Sequence, residues 1–230
     1  MKTLAKIVLL TMLVVLITGS VHSQENSWYE LNARVRELHK QGQYSEATDV
    51  AKEALKVAEN TFGPNHPRVA TSLNNLGEVY RAQGKYAEAE PLYKRALEIG
   101  EKVFGPKHPQ VATFLNNLGE VYRAQGKYAE AEPLYKRALE IDEKGPEPYG
   151  GYVVISLNNL AILYHSQGRY AEAEPLYKRA LEILEEALGP EHPDVARMLE
   201  NMVELYKAMG NSDEAKSLEE RVKRIRSKNQ

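Results

Sequence analysis

Residues 73–99 read LNNLGEVYRAQGKYAEAEPLYKRALEI, and residues 115–141 repeat the same 27 letters 42 positions later. Chance does not preserve identity over such a length. The register continues in both directions without insertion. Leu157 opens LNNLAILYHSQGRYAEAEPLYKRALEI, Leu199 opens LENMVELYKAMGNSDEAKSL, and upstream Leu31 opens LNARVRELHKQGQYSEATDVAKEAL. Four complete units (31–72, 73–114, 115–156, 157–198) and one truncated unit (199–230) therefore fill residues 31–230. A fixed period in this range predicts a solenoid, in which each unit buries its apolar face against its neighbours.

Within a unit, Leu73, Leu76, Gly77 and Tyr80 follow the i, i+3, i+4, i+7 spacing of an amphipathic helix. This is helix A, stopped by Gly84. A second stripe of Ala89, Leu92, Tyr93, Ala96 and Ile99 follows Lys85 and makes helix B. Gly77, Ala89 and Ala96 let the two axes approach, while Tyr80, Tyr86 and Tyr93 fill the remaining volume. Pro91, Pro133 and Pro175 lie inside helix B, where the lost hydrogen bond predicts a slight bend.

The connection GPNHPRVA at Gly63 recurs as GPKHPQVA at Gly105 and GPEHPDVA at Gly189. Gly closes helix B in a left-handed conformation, and Pro67, Pro109 and Pro193 suit the first position of the next helix. His66, His108 and His192 precede those prolines, one per repeat along an edge. They are too far apart to share a metal held at roughly 2 Å, so they read as helix-entry residues.

The pattern Leu76, Gly77, Tyr80, Gly84, Tyr86, Ala89, Tyr93, Ala96 resembles the tetratricopeptide repeat, and it recurs through residues 31–230. The unit is longer than the family's usual length of about 34 residues. With the following GPxHPxVA it looks most like the kinesin-light-chain class. The resemblance implies an all-α fold, a right-handed α-solenoid of antiparallel helix pairs, whose concave groove holds an extended peptide or partner loop. It implies no enzymatic activity and no cofactor. Two ends depart from the pattern. Ser212 and Glu219 replace aromatic sites, and a charged stretch runs from Arg221 to Gln230, as a terminal capping helix requires. Ser27-Trp28-Tyr29-Glu30 fits a capping box opening the first helix after a lead-in over 24–30, and Arg34 replaces a core Leu.

The resemblance also implies that a polar stripe of helix A faces the groove. Its first row is Asn32, Asn74, Asn116, Asn158 and Glu200; its second is Arg36, Glu78, Glu120, Ile162 and Glu204; its third is His39, Arg81, Arg123, His165 and Lys207. An Asn ladder suits a peptide backbone, and Arg81 and Arg123 suit a carboxylate. Glu78 and Arg81 also have the spacing to satisfy each other. The neighbouring Asn75, Asn117 and Asn159 resemble the family's structural asparagines. The one irregular seam is EKGPEPYGGYVVIS, residues 143–156, where Gly145 and Pro146 predict an early end to helix B and Gly150 and Gly151 replace the His-Pro entry. There Tyr149, Tyr152, Val153, Val154 and Ile155 gather apolar surface beside Ile162. This surface either packs on a neighbouring hairpin or forms an apolar binding patch.

Ahead of the repeats, Lys2 and Lys6 flank the apolar run Ile7–Ile17, followed by the small residues of Thr18–Ser23. The run is shorter than the roughly 20 residues that span a bilayer core, which predicts a secretory signal over 1–23, cleaved near Gln24. An uncleaved segment would instead anchor the chain through residues 7–17. Loss of the two lysines leaves 28 basic and 32 acidic residues, no basic surplus to attract nucleic acid. The Cys count of zero removes disulfides, thiolate catalysis and thiolate metal sites. The expected function is that of an exported, periplasmic or secreted, scaffold binding a partner protein or extended peptide. Its groove contacts are Asn74, Asn116, Asn158, Arg81, Arg123, His165, Ile155 and Ile162, with no catalytic residue, metal or small-molecule cofactor. Self-assembly of near-identical repeats is the alternative.

Overall fold

The computed structural model describes residues 24–145 and 151–229; the signal segment 1–23 and residues 146–150 of the seam, with Pro146, Tyr149 and Gly150, lie outside them. Ten helices and no strand occur among the described residues. Helix α1 covers 24–40, α2 Tyr44–Phe62, α3 Pro67–Ala82, α4 Tyr86–Phe104, α5 Pro109–Ala124, α6 Tyr128–Glu143, α7 Gly151–Ser166, α8 Tyr170–Leu188, α9 Pro193–Ala208 and α10 Ser212–Lys228. Odd-numbered helices are the A members of the repeats and even-numbered ones the B members. The chain forms two compact units, one reaching Gly105 and the other starting at Pro106. Within each, consecutive helices pack on each other as α-solenoid hairpins.

In the first unit, Val35 and Leu38 of α1, Ala47, Val50 and Ala51 of α2, and Leu76 and Val79 of α3 form one core. The second unit has a larger core, in which Tyr135, Leu157, Leu163, Tyr177 and Leu205 are almost fully enclosed. The small positions work as the spacing requires. A Cβ added to Gly77 would meet the Tyr93 ring at 2.8 Å, and one added to Gly119 would meet the Tyr135 ring at 2.8 Å. Glycine at these two sites therefore leaves the room that the tyrosine ring occupies.

Each A helix that follows a regular linker begins on a histidine. His66, His108 and His192 accept a hydrogen bond through Nδ1 from the backbone N–H of Arg68 (3.2 Å), Gln110 (3.1 Å) and Asp194 (3.1 Å). Proline occupies the next position in all three. The histidines thus cap the N–H groups that a helix start leaves unpaired. The closing glycines depart from expectation in detail. Gly63, Gly105 and Gly189 have φ between 85° and 89° but ψ near 156°–158°, the extended mirror region and not the left-handed helical one. This region is essentially reserved for glycine and throws the chain straight into the linker.

The N-terminal capping box is corrected. Residues 24–30 are already helical, so Ser27 sits inside α1 and 24–30 is not a lead-in. Side-chain contacts hold this extended start in place. Thr61 Oγ1 donates to Gln24 Oε1 at 3.0 Å, and Trp28 Nε1 donates to Ser72 Oγ at 2.8 Å. Arg68 pairs with Glu25, donates to Tyr29 Oη at 2.8 Å, and lies over the rings of Trp28, Tyr29 and Phe62. Trp28 occupies the position held by Ala70, Ala112 and Ala196 in other repeats. Arg34 escapes its core position by facing outward to pair with Glu46. At the other end, α10 buries Ala215, Val222 and Ile225, half-buries Leu218 beside them, and is polar elsewhere.

The seam follows its sequence. Helix α6 ends at Glu143, three residues earlier in register than the corresponding end of α4, and α7 starts at Gly151. Val153 and Val154 are buried, whereas Tyr152 and Ile155 are exposed. Val153 and Val154 thus pack as the first reading of the seam expects, while Tyr152 and Ile155 leave apolar surface open. Helices α4, α6 and α8 run uninterrupted through Pro91, Pro133 and Pro175.

Candidate functional site

The first row of the polar stripe is largely committed within the protein. Asn32, Asn74 and Asn116 are buried. Asn32 Nδ2 donates to the Trp28 carbonyl at 2.7 Å, while its Oδ1 accepts from Asn75 Nδ2 at 2.7 Å. Asn74 Nδ2 donates to Glu78 at 2.9 Å. Asn116 Nδ2 donates to Ser156 Oγ at 2.8 Å, and its Oδ1 accepts from Asn159 Nδ2 at 3.3 Å. The ladder of Asn74 and Asn116 is therefore not an open surface: a buried, bonded amide engages a partner only by breaking an internal bond. Asn75 and Asn159 are structural, as expected, and tie adjacent A helices together.

Asn158 is different. Its Oδ1 accepts from Asn201 Nδ2 at 2.8 Å, but its own Nδ2 donates to no group among the described residues. The cause lies one repeat further on. Asn116 finds Ser156 as its acceptor, and the residue in register for Asn158 is Met198, which offers only a poor one.

The remaining expected contacts divide. Arg123 lies 3.9 Å from Glu120 on its own helix, the self-satisfying pair that i, i+3 spacing allows. His165 packs its ring on Tyr170, with centroids 5.6 Å apart. Ile162 is half-buried against the core of the second unit. Arg81 and Asn74 belong to the first unit, and neither is without a partner. Of the expected contacts, only Ile155 and Asn158 come together on an open cleft.

That cleft, with a volume of about 410 Å³, lies between α7 and α9 over the end of α8. Val154 and Ile155 of α7, Leu184 and Leu188 of α8 and Met198 of α9 supply apolar walls. Asn158 and Asn201 supply amides, and Asp194 and Arg197, paired at 2.9 Å, form a polar rim. Ile155 is 50% exposed and Leu188 45%. Leu184, Leu188 and Met198 were legible only as breaks in the repeat: LEEAL stands where GEKVF stands two repeats earlier, and Met198 where Ser156 stands one repeat earlier. A second cleft of about 430 Å³ between α9 and α10 has its charges already matched, Arg226 with Glu200 and Arg197 with Asp194.

Charge around the second unit is spent on holding repeats together. Glu132 of α6 receives Arg169 Nη1 at 2.7 Å, Lys136 Nζ at 2.7 Å and Tyr164 Oη at 3.1 Å. The Arg169 and Lys136 hydrogen bonds lower its carboxyl to about 2, with Tyr164 adding to the effect against a burial penalty. One repeat on, Tyr206 Oη donates to Glu174 at 2.9 Å. No group of three or more His, Asp or Glu among the described residues is arranged to hold a metal.

Comparison with known proteins matches the arrangement. A family model described as the tetratricopeptide repeat covers residues 31–102, 68–144 and 152–228, and a second with the same description covers 122–177. No curated protein matches. Among solved structures, a Podosopora anserina protein described as a kinesin light chain with nearly identical TPR-like repeats shares 26% identity at a TM-score of 0.73, over 88% of this chain and 96% of that one. BtubC (BKLC) from P. vanneervenii shares 26% identity at a TM-score of 0.73, over 93% and 89%. A Rap protein complexed with Competence and Sporulation Factor shares the fold at 20% identity and a TM-score of 0.75, over 87% of this chain and 54% of that one. With its helix pairs, its capped linkers and its small-against-tyrosine packing, the chain belongs to the tetratricopeptide-repeat family in its kinesin-light-chain-like form, a repeat scaffold suited to protein–protein interaction.

Proposed function

We propose that the protein is an exported scaffold that holds an extended segment of a partner protein, with the α7–α9 cleft as its main contact. The observation that carries this reading is the unmatched Asn158 Nδ2 beside exposed Ile155 and Leu188. A donor at the edge of an apolar trough suits a backbone carbonyl whose neighbouring side chain is aliphatic. The Rap protein, complexed with Competence and Sporulation Factor, is an instance of the same fold holding a second molecule. Export rests on the charged start, apolar run and small-residue exit of residues 1–23.

Site-specific photocrosslinking from position 155, followed by mass spectrometry, tests the cleft. The expected product is one dominant partner peptide whose yield falls about tenfold or more in Asn158→Ala combined with Leu188→Ser. Unchanged yield would sink the cleft as the binding site. Intact mass of the protein recovered outside the cytoplasm tests export, with a chain starting near Gln24 as the expected result. Retention of residues 1–23 on a membrane-bound product would replace the secreted form by the anchored one.

A further inference from the structure

One buried carboxyl in the second unit has no counterpart in the other repeats. Asp142, near the end of α6, is 7% exposed, and the positions in register with it are Ala58, Gly100, Leu184 and Arg226. Its Oδ2 accepts from Ser156 Oγ at 2.6 Å, and Ser156, fully buried on α7, in turn accepts from Asn116 Nδ2 of α5 at 2.8 Å. Three helices thus meet in one polar chain. In the preceding repeat the Ser156 position is Phe114, so a hydroxyl stands at this seam where an aromatic ring stands one repeat earlier.

Among the described residues, no cation pairs with Asp142, and the Ser156 hydroxyl is the one group bonded to its carboxyl. Asn116 of α5 and Ser156 of α7 are neutral, and residues 151–164 of α7 include no charged side chain. On α5, Glu120 and Arg123 face each other. On α6 itself, Glu143 is paired with Arg179 of α8 at 2.5 Å and Lys144, just past its end, with Glu140 at 2.7 Å. A carboxylate there has lost most of its hydration and holds one hydroxyl donor in exchange. We propose that Asp142 makes the seating of α7 on α5 and α6 proton-sensitive, α7 being held most firmly while the Asp142 carboxyl is neutral.

Burial raises the Asp142 carboxyl above its ordinary value of 3.8, with the Ser156 hydrogen bond acting in the opposite direction. The native state therefore binds more protons than the unfolded chain as pH rises above 3.8, and this contribution to stability is present below that point and lost as pH rises through the elevated native value. Helix α7 carries Ile155 and Asn158, so the same proton governs how well the α7–α9 cleft is formed.

Hydrogen exchange followed by mass spectrometry on the full chain, corrected for the intrinsic pH dependence of exchange, tests this without any partner. In the wild type, protection of the α7 amides should fall with rising pH, by up to about tenfold per pH unit within the titration window. In Asp142→Asn and in Asp142→Ala, the second of which copies the residue at Ala58, that slope should vanish. A flat wild-type profile, or the same slope in either variant, overturns the proposal. So does an Asp142 carboxyl carbon that titrates by NMR at or below the ordinary aspartate value. Failure of the crosslinking experiment leaves this readout unaffected, so the two readings fail separately.

Discussion

At the scale of single residues, one repeated position can serve opposite ends. Asn116 and Asn158 are in register, yet the first is sealed by Ser156 and the second is left with an unused donor by Met198. The linker histidines show the reverse, since all three do one job. His66 must keep Nδ1 unprotonated to accept from Arg68 N–H, and burial, then the nearby Arg68 charge, lowers its basicity below the ordinary 6.5. Its cap therefore contributes fully above pH 6.5 and is lost as pH falls from there through the lowered native value. His66→Ala should cost about 1 kcal/mol at neutral pH in denaturant unfolding, and His66→Asn should restore most of it while removing this pH dependence.

At the scale of elements, stability comes from contacts that join one repeat to the next. Arg95, Arg137 and Arg221 of the B helices donate to the carbonyls of Pro64, Pro106 and Pro190 in the preceding linkers. Arg95, Arg179 and Arg221 also pair with Glu59, Glu143 and Glu185 of the preceding B helix. Each clasp fixes the distance between neighbouring hairpins. Glu132 does the same between α6 and the end of α7. Because its native value is depressed to about 2, its stabilisation is present above the ordinary 4.5 and disappears as pH falls toward 2. Glu132→Gln should cost about 1 to 2 kcal/mol at pH 7, allowing for solvent screening, and should flatten the acid limb of a melting-temperature profile between about pH 5 and about 2.

At the scale of the whole molecule, each repeat depends on its neighbour, so the terminal helix matters beyond its few contacts. Val222 and Ile225 of α10 cover Val195, Ala196 and Leu199 of α9. Removing residues 212–230 should expose that strip and make light scattering rise more steeply with concentration than it does for the full-length chain. Helix content by circular dichroism should fall by more than the deleted helix alone, since α9 loses its packing partner.

The sequence by itself determined the repeat, the helix boundaries of its regular units, the histidines at helix entry and the early end of α6. These follow from local chemistry: glycine and proline punctuation, apolar spacing and the register of identical copies. Residue identity in a copied stretch carries no information about which copy has a matching neighbour, so the candidate site was legible only in part. Ile155 and Asn158 were named from position, while Asn74 and Asn116 on the same stripe proved to be bonded internally. Only the tertiary structure decided this, because satisfaction of an amide depends on the side chain that a different repeat places beside it. The same cause hid the Asp142–Ser156–Asn116 chain and the Leu184, Leu188 and Met198 walls. Each joins residues from separate helices whose proximity is set by stacking and not by sequence spacing.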